Sequence, residues 1–209
     1  MDTALKKSIC EHYEKGRRNT SFIPGKSLVP VSGKVFDKEE LIHGVEAVLD
    51  GWWTEGRFAA EFEKEFAKTL GVRYVTLVNS GSSANLIALS ALTSSVFGKR
   101  ALQPGDEVIT TATGFPTTVN PIIQNRLIPV FIDNDLGTKN ATVDGIRRAM
   151  TKKTRAIMMA HTLGNPLPLD GIMELVKKHD LWFIEDCCDA LGSSYQGKLV
   201  GGFGHVSTY

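Results

Sequence analysis

Apolar positions recur at helical spacing early in the chain, and the later part alternates short β-rich runs with helical stretches. Residues 4–16 read as a short helix, followed by an extended arm with Pro and Gly over Asn19–Lys34. Leu41, Val45 and Val48 fall on one side of a helix over about 37–49, which stops at Asp50-Gly51. Phe62, Phe66 and Leu70, four apart, place a second helix over about 59–70, closed by Gly71. Beyond Gly71 the period changes. Tyr74–Val78, Glu107–Thr111, Ile128–Ile132, Ala156–Ala160 and Leu181–Ile184 read as strands. Between them lie helices over about 84–92, 117–125, 142–150 and 171–179. Strands alternating with helices predict crossovers between parallel strands, hence an α/β fold with a mainly parallel sheet sandwiched by helices.

Composition narrows the function classes. The chain has 209 residues, with 24 Lys and Arg against 23 Asp and Glu and a formal charge of +1. No charge excess draws it to nucleic acid or an anionic membrane, and the cluster Lys15, Arg17 and Arg18 is too short to change that. No apolar run approaches the ~18 residues of a membrane span, and the N-terminus carries no apolar signal core. The three cysteines, Cys10, Cys187 and Cys188, make no disulfide framework, so a reducing, cytoplasmic setting is expected. Asn19-Thr20-Ser21 and Asn140-Ala141-Thr142 match the glycosylation pattern and are read as chance.

Ligands of such sheets bind beyond the carboxyl ends of the strands, and three stretches lie there. Ser80-Gly81-Ser82-Ser83 joins a strand to a helix. Its glycine, its hydroxyls and the helix N-terminus suit a phosphate, without the lysine of a Walker loop or the spacing of a dinucleotide fingerprint. A plain N-cap uses the same residues. Phe115, in a Thr- and Gly-rich loop, suits stacking on a planar ring or a place in the core. Asp186 follows an apolar strand and suits pairing with a protonated pyridine nitrogen, or a turn. Cys187-Cys188 lacks a second ligand pair for a metal and reads as two small buried side chains. His161, after a strand, suits either a ligand contact or a structural hydrogen bond.

These residues resemble the sugar aminotransferase and dehydratase family of pyridoxal-phosphate fold type I. The likeness runs through PGKSLVPVSGKV (24–35), LDGWWTEGRF (49–58), NSGSSANLIALSALTS (79–94), PGDEVITTATGFPTTVNPIIQN (104–125), AHTLGNP (160–166) and IEDCCDALGSSYQGK (184–198). The resemblance implies pyridoxal or pyridoxamine phosphate as cofactor. Gly81, Ser82 and Ser83 match its phosphate turn, Phe115 the stacking aromatic, Asp186 the partner of the ring nitrogen, and Ser207 a second phosphate serine. It also divides the chain into a helix and arm at 1–36 and a cofactor-binding domain at 37–209.

Asp189 separates two branches. The family's aminotransferases carry His or Gln there, whereas its dehydratases read Cys-Asp, as Cys188-Asp189 does. The resemblance therefore implies loss of the 3-hydroxyl from a CDP-linked 4-keto-6-deoxyhexose, a step of dideoxysugar and lipopolysaccharide O-antigen biosynthesis, with Asp189 as a catalytic candidate. A nucleotide-sugar aminotransferase and a non-catalytic cofactor-binding or dimerisation fragment are the alternatives. The family's proton-transfer residue, His or Lys, its smaller C-terminal domain and the cysteines of a [2Fe–2S] cluster are expected beyond Tyr209, making this chain an N-terminal fragment. A homodimer and a reductase partner are expected on the same ground, with the WWTEGRF turn and the arm near the interface or the substrate.

Overall fold

The computed structural model describes residues 1–16, 22–30 and 33–209. Arg17, Arg18, the tripeptide Asn19-Thr20-Ser21 and part of the expected arm (31–32) lie outside them. The chain forms two compact units, Met1–Lys64 and Glu65–Tyr209.

In the first unit lie α1 (Thr3–Gly16), α2 (Lys38–Leu49) and the start of α3 (Arg57–Leu70). Asp37 begins α2 with a capping box: its carboxylate accepts from the Glu39 amide at 2.7 Å, and its own amide donates to Glu40 at 2.7 Å. The face expected from Leu41, Val45 and Val48 is met only in part: Leu41 and Val45 are half-buried. Ile42 is the buried residue of α2, and Val48 is exposed. Trp52 and Trp53 of the WWTEGRF turn are also exposed, and Trp52, Arg57 and Phe58 line a groove of about 560 Å³.

The second unit holds α4 (Gly81–Ala91), β1 (Glu107–Thr111), α5 (Pro116–Gln124), β2 (Ile128–Ile132) and α6 (Val143–Ala149). They are followed by β3 (Thr154–Ala160), α7 (Leu169–His179), β4 (Trp182–Asp186), a two-strand hairpin β5–β6 (Ser194–Tyr195 and Lys198–Leu199) and β7 (Val206–Thr208). The main sheet has the order β2-β1-β3-β4-β7, every pair parallel. Tyr74–Val78, expected as a strand, is not among its members. Alternating apolar residues describe a strand's faces, but a strand also needs a neighbour for its backbone groups.

Alternation within the strands builds two cores. Val108, Ala156, Met158, Trp182 and Ile184 face one way and pack with Leu89 of α4 and Ile122 of α5. Ile109, Ile157, Met159 and Phe183 face the other way and pack with Ile146 of α6 and Ile172 and Val176 of α7. Burying each such side chain stabilises by about 1.5–3 kcal/mol. The chain runs from β1 outward to β2, then returns past β1 to β3. The strand order reverses between β1 and β3, and at their carboxyl ends such a reversal opens a crevice.

Candidate active site

Ser80 caps α4: its hydroxyl accepts from the Ser83 amide at 3.2 Å, and the first ladder bond runs from the Ala84 amide to the Ser80 carbonyl. That leaves the Gly81 and Ser82 amides outside the helix ladder, at the positive end of the helix dipole. Ser83 differs from its two neighbours, since its amide is spent on the cap. The plain N-cap is present, and the same capping aligns the two amides before it.

One turn into α4, Asn85 is buried, and its side-chain amide donates to Asp186 Oδ2 at 2.9 Å. Thr118, in the first turn of α5, is also buried and donates to the same oxygen at 2.7 Å. Phe115 stands one turn before Thr118, at the N-cap of α5, and its ring is 65% exposed. An aromatic so open at the rim is not the core residue that its alternative reading required. Asp186 itself is buried at the end of β4, and its Oδ1 accepts from the Cys188 amide at 3.2 Å. The helices that carry the Gly81-Ser82 turn and Phe115 at their starts are thus both hydrogen-bonded, through Asn85 and Thr118, to this carboxylate.

Not every candidate joins it. Ser207 pairs in register with Glu185, and Thr208 with Asp186. Side chains alternate along a strand, so Ser207 points to the opposite face, beside the Tyr209 hydroxyl. Asp189 is exposed at the rim, where it accepts from the Leu163 amide at 3.3 Å.

His161 takes the structural alternative. It is fully buried and bonds Glu185 Oε2 at 3.1 Å through Nε2, while its Nδ1 accepts from the Leu167 amide at 3.0 Å. An accepting Nδ1 assigns the neutral ring's proton to Nε2, which donates to Glu185. Glu185 also accepts from the amides of Gly201 (2.9 Å), Phe203 (2.9 Å) and Gly204 (2.5 Å). Burial pushes its carboxyl up, but the bonds from His161, Gly204 and Gly201 outweigh that and hold it below the usual range.

Cys187 is buried as expected, whereas Cys188 is exposed. Desolvation and the charge of Asp186 push the Cys188 thiol up to about 12, and burial beside Glu185 raises Cys187 as well. Both are thiols at neutral pH, poor nucleophiles and poor ligands. His161, Glu185 and Cys187 lie close enough to converge on a cation, yet the ring nitrogens and the carboxylate are already committed to one another and to the backbone. Asn140 of the second glycosylation match is buried, and its amide donates to the Asn165 carbonyl at 2.8 Å, which leaves it no room to carry a glycan.

Three site residues escaped the sequence reading: Asn85, Thr118 and Thr208. The signal for Asn85 was present, as a polar residue four after Gly81 within the apolar run Ala84–Leu89. Thr118 and Thr208 carried none, since a threonine near a helix start or strand end is commonplace.

The profile of the DegT/DnrJ/EryC1/StrS aminotransferase family matches residues 36–209. The lipopolysaccharide biosynthesis protein RfbH of Salmonella typhimurium is 57% identical over 96% of the chain and 46% of its own length. The dTDP-4-dehydro-2,6-dideoxy-D-glucose 3-dehydratase of Saccharopolyspora spinosa is 52% identical over 94% of the chain and 42% of its own length. A solved GDP-4-keto-6-deoxymannose-3-dehydratase with a trapped PLP-glutamate geminal diamine superposes with a TM-score of 0.77 at 35% identity, over 84% of the chain and 45% of that structure. The chain spans less than half the length of these relatives.

Proposed function

Because the chain belongs to the DegT/DnrJ/EryC1/StrS aminotransferase family, we propose that it supplies the cofactor grip of a pyridoxamine-phosphate-dependent 3-dehydratase acting on a nucleotide-linked 4-keto-6-deoxy sugar. The observation that carries this reading is the convergence on Asp186. Asn85, one turn below the Gly81 and Ser82 amides, and Thr118, one turn below Phe115, bond the same carboxylate oxygen. A phosphorylated pyridine needs these three features together: amides for the phosphate, a flat face for the ring and an anion for the ring nitrogen.

In this reading Gly81 and Ser82 donate their amides to the phosphate, with the helix dipole favouring its charge. Phe115 covers one face of the ring and excludes water from it. Asp186 holds a proton on the ring nitrogen by pairing with it. The bound cofactor supplies an electron sink for bond breaking at the sugar. Asp189 is held at the rim by the Leu163 amide, and its assignment to the substrate side rests on the family resemblance. Its identity, and the two dehydratase relatives, favour loss of the 3-hydroxyl over amination. The family resemblance assigns the cofactor domain to residues 37–209, whereas the compact unit that holds the candidate site is Glu65–Tyr209. The CDP nucleotide, a [2Fe–2S] centre with its reductase, a second copy of the chain and a cytoplasmic setting complete the proposal on the family resemblance. Among the described residues, no helix is long and apolar enough to cross a membrane.

The test is product analysis. The protein containing this chain is incubated with pyridoxamine phosphate, a reductase and CDP-4-keto-6-deoxyglucose, and the sugar is followed by mass spectrometry. Loss of the 3-oxygen supports the dehydratase. A 4-amino sugar formed with pyridoxal phosphate and an amino donor would establish the aminotransferase instead. Asp186→Asn is expected to cut turnover by at least about 100-fold, since a neutral amide cannot hold the ring proton.

A further inference from the structure

We propose that Asn85, Thr118 and Thr208 are positioning residues that orient Asp186, leaving Oδ1 as the oxygen that meets the cofactor's ring nitrogen. The inference rests on the cofactor reading above. Each carboxylate oxygen has two lone pairs. Those of Oδ2 are taken, by Asn85 Nδ2 at 2.9 Å and Thr118 Oγ1 at 2.7 Å. Oδ1 accepts one longer amide bond, from Cys188 at 3.2 Å, and the carboxylate's other neighbour there is the weakly donating Cys188 thiol, so the open acceptor position is on Oδ1.

Thr208 decides which way Asn85 points. Its hydroxyl donates to Asn85 Oδ1 at 2.6 Å, which turns the NH2 of that amide toward Asp186. The reverse flip would set the amide oxygen against a carboxylate oxygen and leave the Thr208 hydroxyl facing an NH2. The three side chains are 3–4% exposed and come from α4, α5 and β7, so each of these elements aims the anion at the end of β4.

The choice of neutral donors also matters. A Lys or Arg beside Asp186 would compete with the ring for its charge, whereas an amide and a hydroxyl stabilise that charge without cancelling it. They hold the carboxylate still and keep it weakly basic, so that the shared proton stays on the ring. Removing a donor frees the carboxylate to turn and makes it a stronger competitor for that proton. Both effects act in one direction at a fixed pH: the ring nitrogen holds a smaller share of the proton, part of it passing to the carboxylate.

The experiment is 15N NMR of pyridoxamine phosphate, labelled at the ring nitrogen and bound to the protein, titrated with pH. Thr118→Val and Asn85→Leu are expected to move the 15N resonance at neutral pH toward the unprotonated pyridine position, the ring-to-carboxylate partition of the proton falling about tenfold or more with the loss of one charge-assisted bond. Thr208→Val, which leaves both direct donors in place, is expected to shift it the same way by less. Thr118→Ser, which keeps the hydroxyl, is expected to restore the wild-type titration. A purely structural role would lower the melting temperature without moving the ring titration. Unchanged ring titration in Thr118→Val and Thr208→Val, or Thr118→Ser behaving like Thr118→Val, overturns the orientation claim while leaving the cofactor reading intact. Wild-type protein that does not bind the labelled cofactor overturns both.

Discussion

Glu185 and Asp186 are adjacent in sequence and point to opposite faces of the sheet. One is enclosed by donors and finished; the other keeps an acceptor position open. Glu185 collects the proton of His161 and three backbone amides from 201–204, and so ties down the loop that leads into β7. Its folded pKa is depressed. Its contribution to stability is therefore present above the unfolded carboxyl value, about 4.3, and is lost as pH falls through the folded value. Thermal melts of wild type are expected to fall steeply below about pH 4.3. Glu185→Gln should flatten that acid limb and cost about 1.5–3 kcal/mol at neutral pH, because an amide NH2 then replaces one of the two accepting oxygens among buried donors. An unchanged acid limb in the variant would assign that loss to other carboxylates.

Among the elements, α6 and α7 show how closely the layer on the Glu185 face is packed. A Cβ on Gly171 would lie 2.5 Å from Val143 Cγ2, and the branched Val143 has little rotamer freedom with which to yield. Gly171→Ala is expected to destabilise by about 1–3 kcal/mol, or about 2–12 °C in melting temperature. Val143→Ala in the same chain should recover part of it, a coupling that a double-mutant cycle measures. Additive losses would show that the clash is relieved elsewhere. The period-3.6 and period-2 patterns marked most of the elements with small errors at the ends. They carried the buried face of α2 on to the exposed Val48 without Ile42, and read Tyr74–Val78 as a strand, since pattern records amphipathicity but not the neighbour that receives it. The short β5, β6 and β7 carry too few residues for any period to register.

For the whole molecule, the sheet acts as a rigid frame on which α4, α5 and β4 present their ends together. A ligand that binds this folded frame and not the open chain stabilises it by mass action. Pyridoxamine phosphate at about one hundred times its Kd is expected to add about 2.7 kcal/mol, or about 5–11 °C in a chain of this size. Inorganic phosphate, lacking the ring, should add far less at equal concentration. Differential scanning calorimetry makes the comparison, and equal shifts for both would reduce the site to an anion-binding helix end. The near balance of charge, 24 basic against 23 acidic residues, assigns any such binding to local groups and not to a long-range field.

The α/β class, the parallel order of elements and the residue types at the strand ends are legible in the sequence, because they depend on local periodicity and on which side chains suit a turn. Gly81, Phe115 and Asp186 belong to that legible set. What the sequence leaves undecided is direction. His161 and Ser207 follow or lie within strands just as Asp186 does, but whether such a side chain faces α4 or α7 depends on register, and register is set by pairing across the sheet. The partners of Asp186 are more hidden still. Asn85 and Thr118 lie 101 and 68 residues away from it. Only the packing of α4 and α5 on one face of the sheet brings them to a single carboxylate oxygen.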